Sequence, residues 1–403
     1  MFKKFRLRNY RTHIDTTLEL KDVTLLIGSN NSGKSNMLAG LNHFSMLVNR
    51  TFPEASGDIT LKASDFLPHK HSLNSPDIPI SFYCEWEILD KKVEYELEIY
   101  LMHMFTQMIG CKEKIVITTD KPKEFTHGIS EPSQEMLLRT KLETEELGLT
   151  DGEIDLPIIF FSSLASMYSY HFQPGFLKKE DFSELFSKSG EKPSIAVEIG
   201  REGTNFQGLI KYVKEHEQET YGKFLGYLKR FIKSFNEVFI DKGAVKWQFD
   251  MGGPEFPYFA PGQVSDGLVK AGAIALLCAM RTPPAMIMIE EVENGINQKK
   301  LSEFLSWLSQ TADKGKRTQF IMTSHSPSVL REFSSRLDAV YNFYLRERGY
   351  KTLATNLNDA IKPLINMGTI EEENIVERDG KQVIQVKPYE LTELFYNGVI
   401  GEL

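Results

Sequence analysis

The segment Gly28-Ser-Asn-Asn-Ser-Gly-Lys-Ser35 has the residue types and spacing of a phosphate-binding loop. Its glycines allow a tight turn in which backbone N–H groups point at one centre, and the start of a following helix adds positive dipole there. Lys34 is long enough to reach the β- and γ-phosphates of ATP, and the Ser35 hydroxyl can join a Mg²⁺ shell. The candidate nucleotide-binding residues are Gly28, Asn30, Asn31, Ser32, Gly33, Lys34, Ser35 and Asn36.

The elements on either side of this loop favour that interpretation. The apolar run Val23–Ile27 precedes it and predicts a strand. After it, apolar residues recur at helical spacing from Met37 to Val48. A strand, a loop and a helix in this order are the context that the motif requires, so we expect the chain to bind ATP with Mg²⁺.

A second candidate site is the apolar run Met286–Ile289, which ends in Glu290 and Glu291. A buried strand that delivers acids at its carboxyl end places them where open α/β sheets bind ligands. Glu290 would then hold Mg²⁺ through water, and Glu291 would polarise the attacking water. The alternative is a strand end with two solvated acids.

Two further residues stand at the ends of predicted elements. Ser265 and Asp266 stand at the start of an apolar helix. Either Ser265 or Asp266 is a simple N-cap, or Ser265 is a γ-phosphate ligand beside free N–H groups. His325 follows the apolar strand Gln319–Thr323, where it would contact the γ-phosphate and sense hydrolysis. The alternative for His325 is a structural role.

The elements that must position these residues form an α/β pattern. Strands at Met286–Ile289 and Gln319–Thr323, with the helix Lys299–Thr311 between them, predict a parallel sheet. Gly267–Met280 predicts another helix. The remaining expectations are a strand at Phe5–Asn9, a hairpin of Ile78–Leu89 and Val93–Met102, a buried strand at Leu156–Phe161, one long core helix at Leu209–Phe239, a strand at Val383–Val386 with a helix after it, and loops at 51–77, 118–135 and 188–208.

Composition excludes several classes of protein. The 403 residues carry a formal charge of −8, so the chain is not coated with basic surface. The three cysteines are widely spaced, which excludes a zinc ribbon or zinc hook built from this chain and indicates reduced thiols in the cytoplasm. No apolar run reaches the length of a membrane span, and the N-terminus lacks the apolar region of a secretory signal.

Basic residues are concentrated at the N-terminus. They are Lys3, Lys4, Arg6, Arg8 and Arg11. We favour a solvated edge strand as their explanation, and contact with double-stranded DNA is the alternative.

Taken together, the four motifs resemble the RecF/SMC-like branch of ABC ATPases. The N-terminal stretch to Leu38, VSDGLVKAGAIALL, IEEVENGINQ and SHSP are similar to that branch's P-loop, signature, Walker B with D-loop, and switch histidine. The most similar group is the compact OLD-like ATPases of anti-phage systems such as PARIS, Septu and Gabija. The resemblance covers residues 1–50 and 260–330. This sequence departs from the pattern of that branch at two places. Val292 stands where proline is common, and Asn297-Gln298 stand where the branch has a His-Pro pair.

This resemblance implies a P-loop NTPase of ABC/SMC-head type, with a mixed sheet, a helical insertion and no long coiled coil. Glu290 would serve Mg²⁺, Glu291 would be the general base, His325 the switch, and Ser265 would act on ATP held by a second subunit. Two copies would therefore sandwich ATP, and larger rings are an open alternative. The resemblance also implies a separately encoded nuclease or toxin partner.

The expected organisation is an ATPase head over 1–345 and a C-terminal tail over 346–403. The head comprises core lobes at 1–110 and 245–345 with a largely helical insertion at 111–244. The tail is shorter than the TOPRIM nuclease domain of OLD proteins, so we expect it not to be a nuclease domain. The alternatives to an ATPase of phage defence are a RecF-like DNA-repair ATPase and a scaffold that binds ATP without hydrolysing it.

Overall fold

The structure is a computed structural model that describes residues 1–49, 79–88, 90–102, 107–119, 121–129, 151–179, 199–313, 318–346, 351–378 and 380–400. The predicted loop 51–77 lies outside these residues. The chain divides into two compact units. Unit 1 comprises Met1–Met167, Pro284–Met288 and Gln319–Leu403, and unit 2 comprises Tyr168–Pro283 and Ile289–Thr318.

An antiparallel sheet forms one layer of unit 1. Its strand order is β2-β1-β4-β5-β6-β7, with β1 at Phe2–Tyr10, β2 at His13–Glu19, β4 at Ile80–Ile88, β5 at Lys91–Met102, β6 at Gln107–Thr118 and β7 at Pro122–Ile129. Along β5, Val93, Tyr95, Leu97 and Ile99 are buried, so alternate residues point to one face, as the period of two requires. The expected hairpin of β4 and β5 is confirmed.

A second, mixed sheet contains the strands that lead to the predicted site. Within unit 1 its order is β15-β14-β3-β13-β12, with β3 at Val23–Gly28, β12 at Met286–Ile289, β13 at Gln319–Ser324, β14 at Val340–Arg346 and β15 at Lys351–Asn356. β3 pairs in parallel with both β13 and β14. Every residue of β3 is buried, which explains why it is a continuous apolar run.

Helix α1 (Lys34–Asn49) follows β3, and α2 (Asp151–Ala165) contacts it. α1 also contacts β1 and β3. Its Phe44 stacks on Phe82 of β4, with ring centroids 5.6 Å apart. These residues belong to one apolar core, which holds the start of α1 in place. Unit 1 also contains α8 (Pro327–Arg331), α9 (Leu357–Asn366), β16 (Glu372–Arg378), β17 (Lys381–Val386) and α10 (Pro388–Tyr396).

Unit 2 combines helices with a small sheet of order β11-β10-β9. Its elements are α3 (Pro174–Leu177), α4 (Phe206–His216), α5 (Gln218–Phe231), β9 (Phe235–Asp241), β10 (Ala244–Phe249), β11 (Tyr258–Phe259), α6 (Asp266–Ala279) and α7 (Leu301–Asp313). α6 is buried from Leu268 to Ala279 and contacts α3, α5 and α7. Two strands are divided between the units. Met167 of β8 (Met167–Tyr170) and Met286–Met288 of β12 belong to unit 1, and the remaining residues of both strands belong to unit 2.

The strand predicted at Leu156–Phe161 is wrong, because these residues lie within α2. Phe160, Phe161 and Leu164 are buried, whereas Ile158 and Ile159 are 44% and 37% exposed. Burial on one side only is typical of a helix. The sequence does not show this periodicity, because all six residues of the run are apolar. Pro157 also stands inside this helix, although proline disfavours a helix interior.

The single helix predicted at Leu209–Phe239 is also wrong. α4 ends before Glu217, whose φ of −130° is not helical, and α5 ends before the extended Ile232. Phe235 and Val238 continue the apolar pattern but are buried in strand β9. A prediction from apolar spacing alone therefore merged two helices and a strand into one helix.

Two other expectations need correction. Strand β7 occupies part of the loop expected at 118–135, so residues 111–244 contain strands β6 to β9 as well as helices. The basic strand β1 is not an edge strand, because β2 and β4 pair with it on either side. The strand at 383–386 and the final helix are confirmed as β17 and α10.

Candidate nucleotide-binding site

The predicted phosphate-binding loop connects β3 to α1 through three residues with positive φ. Gly28, Asn31 and Gly33 have φ of 146°, 65° and 105°. A Cβ on Gly28 would lie 2.1 Å from the carbonyl oxygen of Phe343, and one on Gly33 would lie 2.1 Å from Thr352 Oγ1. Both positions therefore require glycine for space as well as for conformation.

Lys34 lies at the centre of this loop. Its side chain is buried, and Nζ donates hydrogen bonds to the carbonyl oxygens of Gly28 (2.8 Å) and Ser29 (2.9 Å). Ser32 Oγ lies 3.4 Å from the same nitrogen. The loop thus holds an ammonium group beside the N-terminus of a 16-residue helix, an arrangement that fits a phosphate chain.

His13 of β2 forms a hydrogen bond with the backbone of Gly33. Its Nε2 lies 3.0 Å from the Gly33 carbonyl oxygen, and its Nδ1 lies 2.9 Å from Thr16 Oγ1. Because a carbonyl can only accept, Nε2 carries the proton and Nδ1 accepts from the Thr16 hydroxyl. Burial lowers the pKa of His13 to about 4, so the ring is neutral near pH 7.

Thr352 of β15 supports the loop from the other side. Its hydroxyl donates to the Ser32 carbonyl oxygen at 2.9 Å and lies 2.7 Å from Thr12 Oγ1. Its backbone N–H donates to the Thr12 carbonyl oxygen at 2.8 Å. The conformation of the loop is therefore held by residues from distant parts of the chain.

Arg11, next to Thr12, brings a permanent cation to the start of α1. Its Nη1 donates to Asn36 Oδ1 at 3.1 Å, and Asn36 Nδ2 donates to Thr12 Oγ1 at 3.0 Å. In the sequence, Arg11 is one of several basic residues near the N-terminus, and no local pattern indicates this position. Within the loop, Asn30, Asn31 and Ser35 are exposed.

The predicted switch residue His325 also belongs to unit 1. It directly follows β13, whose last residue, Ser324, pairs in register with Ile27 at the end of β3. His325 is half-buried and therefore begins its loop at the same edge of the sheet as Gly28. Ser326 caps the following helix by accepting from the Ser328 N–H at 3.2 Å.

The predicted acids Glu290 and Glu291 lie in unit 2, directly after β12. The Glu290 N–H donates to the Tyr170 carbonyl oxygen at 3.3 Å. Glu291 is exposed and has a φ of 44°, which is uncommon for a residue with a side chain. Its Oε2 accepts from Asn294 Nδ2 at 3.3 Å.

Ser265 stands at the N-cap position of α6, yet its side chain makes no capping hydrogen bond. The hydroxyl is exposed, and the helix is started by its backbone carbonyl, which accepts from the N–H groups of Leu268 and Val269. Asp266 pairs with Lys178 at 2.5 Å. The simple N-cap alternative thus does not account for the Ser265 side chain.

The predicted site residues therefore fall into two sets. The loop residues and His325 are in unit 1, and Ser265, Glu290 and Glu291 are in unit 2. Within the described ranges, no group of three or more His, Cys, Asp or Glu side chains could hold a metal ion. The oxygens predicted to bind Mg²⁺ are the Ser35 hydroxyl in unit 1 and the Glu290 carboxylate in unit 2. Such a small number of protein ligands suits Mg²⁺, which keeps several waters and binds substrate phosphates.

The sequence matches two protein-family profiles. The profile described as an AAA ATPase domain matches residues 1–243, which is more than half of the chain. The chain therefore belongs to the AAA ATPase domain family. A second profile, described as an AAA domain, putative AbiEii toxin, type IV TA system, matches residues 212–331. No curated protein matches the chain.

The fold resembles that of solved SMC heads. One is an SmcHead bound to the C-winged helix domain of ScpA, with 11% identity, 89% of this chain and 99% of that chain covered, and a TM-score of 0.52. The SMC head domain from Thermotoga maritima has 14% identity, coverages of 88% and 98%, and a TM-score of 0.38. The Smc head from Pyrococcus furiosus has 12% identity, coverages of 91% and 99%, and a TM-score of 0.48.

The first of these likenesses identifies the fold as a P-loop NTPase of SMC-head type. The longest helix of the part of the chain that the structure describes is α1, with 16 residues. In that same part, no helix is both long and apolar enough to cross a membrane.

Proposed function

We propose that this chain binds and hydrolyses ATP with Mg²⁺, as the head subunit of an ATP-dependent dimer. The observation that carries the proposal is the loop that holds Lys34 between the carbonyls of Gly28 and Ser29. The residues that would bind the phosphates are those of the loop from Gly28 to Asn36. Ser35 and Glu290 would hold Mg²⁺, which neutralises phosphate charge when it is bound.

The proposed hydrolysis assigns Glu291 as the general base and His325 as the residue that senses the γ-phosphate. The exposure of the Glu291 carboxylate supports this role, since a base must reach water. Ser265 would bind the γ-phosphate of ATP held by a second copy. Its exposed hydroxyl at the N-terminus of α6 supports that assignment.

The proposed biological role is that of a cytoplasmic sensor or scaffold for a nuclease or toxin effector in anti-phage defence. The motif resemblance supports it, and so does the match of residues 212–331 to a family whose description names a putative toxin. The SmcHead with a TM-score of 0.52 was solved with the C-winged helix domain of ScpA bound to it. That structure gives a precedent for a head that binds a separate protein.

The alternative role, DNA binding in repair, depended on the basic N-terminal residues. In the structure, Lys3 and Lys4 pair with Glu87 and Glu85 of β4. Arg6 and Arg8 share a carboxylate of β2. Carboxylates beside each of these cations reduce the field that phosphates would experience, so β1 gives this alternative no support.

The experiment that tests the proposal compares wild type with Lys34→Ala and Glu291→Gln. We expect Lys34→Ala to lose ATP binding in calorimetry. We expect Glu291→Gln to retain ATP, to lose turnover and to accumulate as a dimer in light scattering. Normal ATP binding by Lys34→Ala would refute the loop assignment, and unchanged turnover of Glu291→Gln would remove it as the base. Absence of turnover in wild type would favour the non-hydrolysing scaffold.

A further inference from the structure

Lys270 is a lysine in an otherwise apolar stretch of α6. From Leu268 to Ala279 every residue of the helix is buried, and Lys270 is 5% exposed. Burying an ammonium group is unfavourable unless hydrogen bonds replace its water. Burial lowers the pKa of Lys270 to about 8, against the opposing effect of the nearby Glu293 and Glu291 charges. Some specific contact must offset this cost.

That contact is with the loop that carries the proposed general base. Lys270 Nζ donates to the backbone carbonyl oxygens of Glu291 at 2.8 Å and Asn294 at 2.9 Å. The Glu291 carbonyl also accepts from the Asn294 N–H at 2.9 Å, and the Ile296 N–H donates to the Glu293 carbonyl at 2.9 Å. Lys270 therefore closes a compact turn that begins at the base itself.

The backbone of this turn needs such support. Glu291 has a φ of 44°, a left-handed conformation that is unfavourable at a residue with a side chain. The first turn of α6 is also pressed against the loop, because a Cβ on Gly267 would lie 2.2 Å from the Gly295 carbonyl oxygen. The start of α6 and the turn 291–296 thus form one closely packed body.

We propose that Lys270 is a positioning residue for hydrolysis. Its two hydrogen bonds hold the Glu291 backbone in the left-handed conformation that aims the carboxylate. They also tie the backbone that carries this carboxylate to α6, which begins beside Ser265. A displacement of α6 by the nucleotide bound to the second subunit would thereby move Glu291. This inference rests on the proposed function, since it takes Glu291 as the base and Ser265 as the residue that acts in trans.

The test removes the donor while keeping the volume, in Lys270→Met. Lys214→Met is the matched control, because Lys214 also donates to a backbone carbonyl in unit 2, that of Val238, at 2.8 Å. We expect Lys270→Met to lower kcat at least about 10-fold with KM for ATP within about 3-fold, since a misplacement of about 1 Å can cost ~100-fold. Lys214→Met is expected to keep both values.

A double-mutant cycle distinguishes positioning from a general structural role. In the Glu291→Gln background, single-turnover rates with and without Lys270→Met are expected to be equal, because the group that Lys270 positions is already gone. An equal fold-loss in both backgrounds, or a kcat within about 2-fold of wild type, would overturn the inference. If Lys270→Met does not fold, Lys270→Leu, which also removes every N–H donor of the side chain, is judged by the same criteria.

Failure of this inference can be told apart from failure of the proposed function. A normal rate for Lys270→Met, with turnover lost in Glu291→Gln, would overturn only the role of Lys270. Full turnover in Glu291→Gln would instead overturn the base assignment and, with it, the role of Lys270.

Discussion

Acidification to about pH 5 is expected to destabilise this protein through one buried histidine. His13 has a pKa of about 4 in the fold, against 6.5 for an unperturbed histidine, because its ring is buried behind the phosphate-binding loop. Below pH 6.5 the unfolded chain binds a proton that the folded chain does not. The free energy of unfolding therefore falls as the pH decreases from 6.5 and stops falling below about 4.

The size of this effect follows from the two pKa values. Each unit of difference corresponds to about 1.4 kcal/mol, so the full loss is about 3 kcal/mol, of which about 2 kcal/mol is reached at pH 5. His13→Gln keeps an N–H donor for the Gly33 carbonyl and cannot be protonated in this range. Its stability is expected to fall about 2 kcal/mol less than that of wild type between pH 7.5 and 5.

The assay is urea unfolding at both pH values for wild type, His13→Gln and His216→Gln. Wild type and His13→Gln share every other titrating group, so the comparison of these two proteins isolates His13. His216 is exposed, so its replacement is expected to reproduce the wild-type pH dependence. A parallel loss of stability in wild type and His13→Gln would show that the ring is not held neutral by burial.

Three other substitutions test the packing around the site. Gly28→Ala places a Cβ 2.1 Å from a backbone oxygen at a φ of 146°, so we expect loss of ATP binding in calorimetry and a lower melting temperature. Phe160→Ala, at a fully buried ring, is expected to cost about 3–5 kcal/mol in denaturant unfolding, whereas Ile159→Ala, at a side chain 37% exposed on the same helix, should stay within about 1 kcal/mol. Arg6→Ala removes a solvent-exposed ion pair and is expected to cost at most about 1 kcal/mol, and a larger loss would contradict the screening of that pair.

The parts of the site that are local in sequence could be predicted, because a single short segment determines them. The glycines at 28 and 33 specify their own conformation, and the helix after Ser265 is apolar from Ala271 to Ala279. Each can be identified without knowledge of the rest of the chain. The order of strand, loop and helix around Lys34 belongs to the same group.

The supports of the site could not be predicted, because their partners are distant in the chain. Thr352 reaches Ser32 across 320 residues, and His13 reaches Gly33 across 20. A threonine in a strand and a histidine after a turn carry no pattern that identifies such a role. The prediction of secondary structure at Leu156–Phe161 was wrong for a related reason. Packing against the antiparallel sheet decides which face of this uniformly apolar run is buried, and the run itself does not show it.

The position of Thr352 limits where the chain can be shortened. β15 pairs along its length with β14, and the Thr352 hydroxyl bonds to the phosphate-binding loop. A truncated ATPase ending at residue 345 would lose both the outer strand of the sheet and one brace of the loop. A minimal nucleotide-binding fragment therefore has to extend at least through Asn356. Insertions placed within β15 would act on the phosphate-binding loop, although this strand lies more than 300 residues from the loop in the chain.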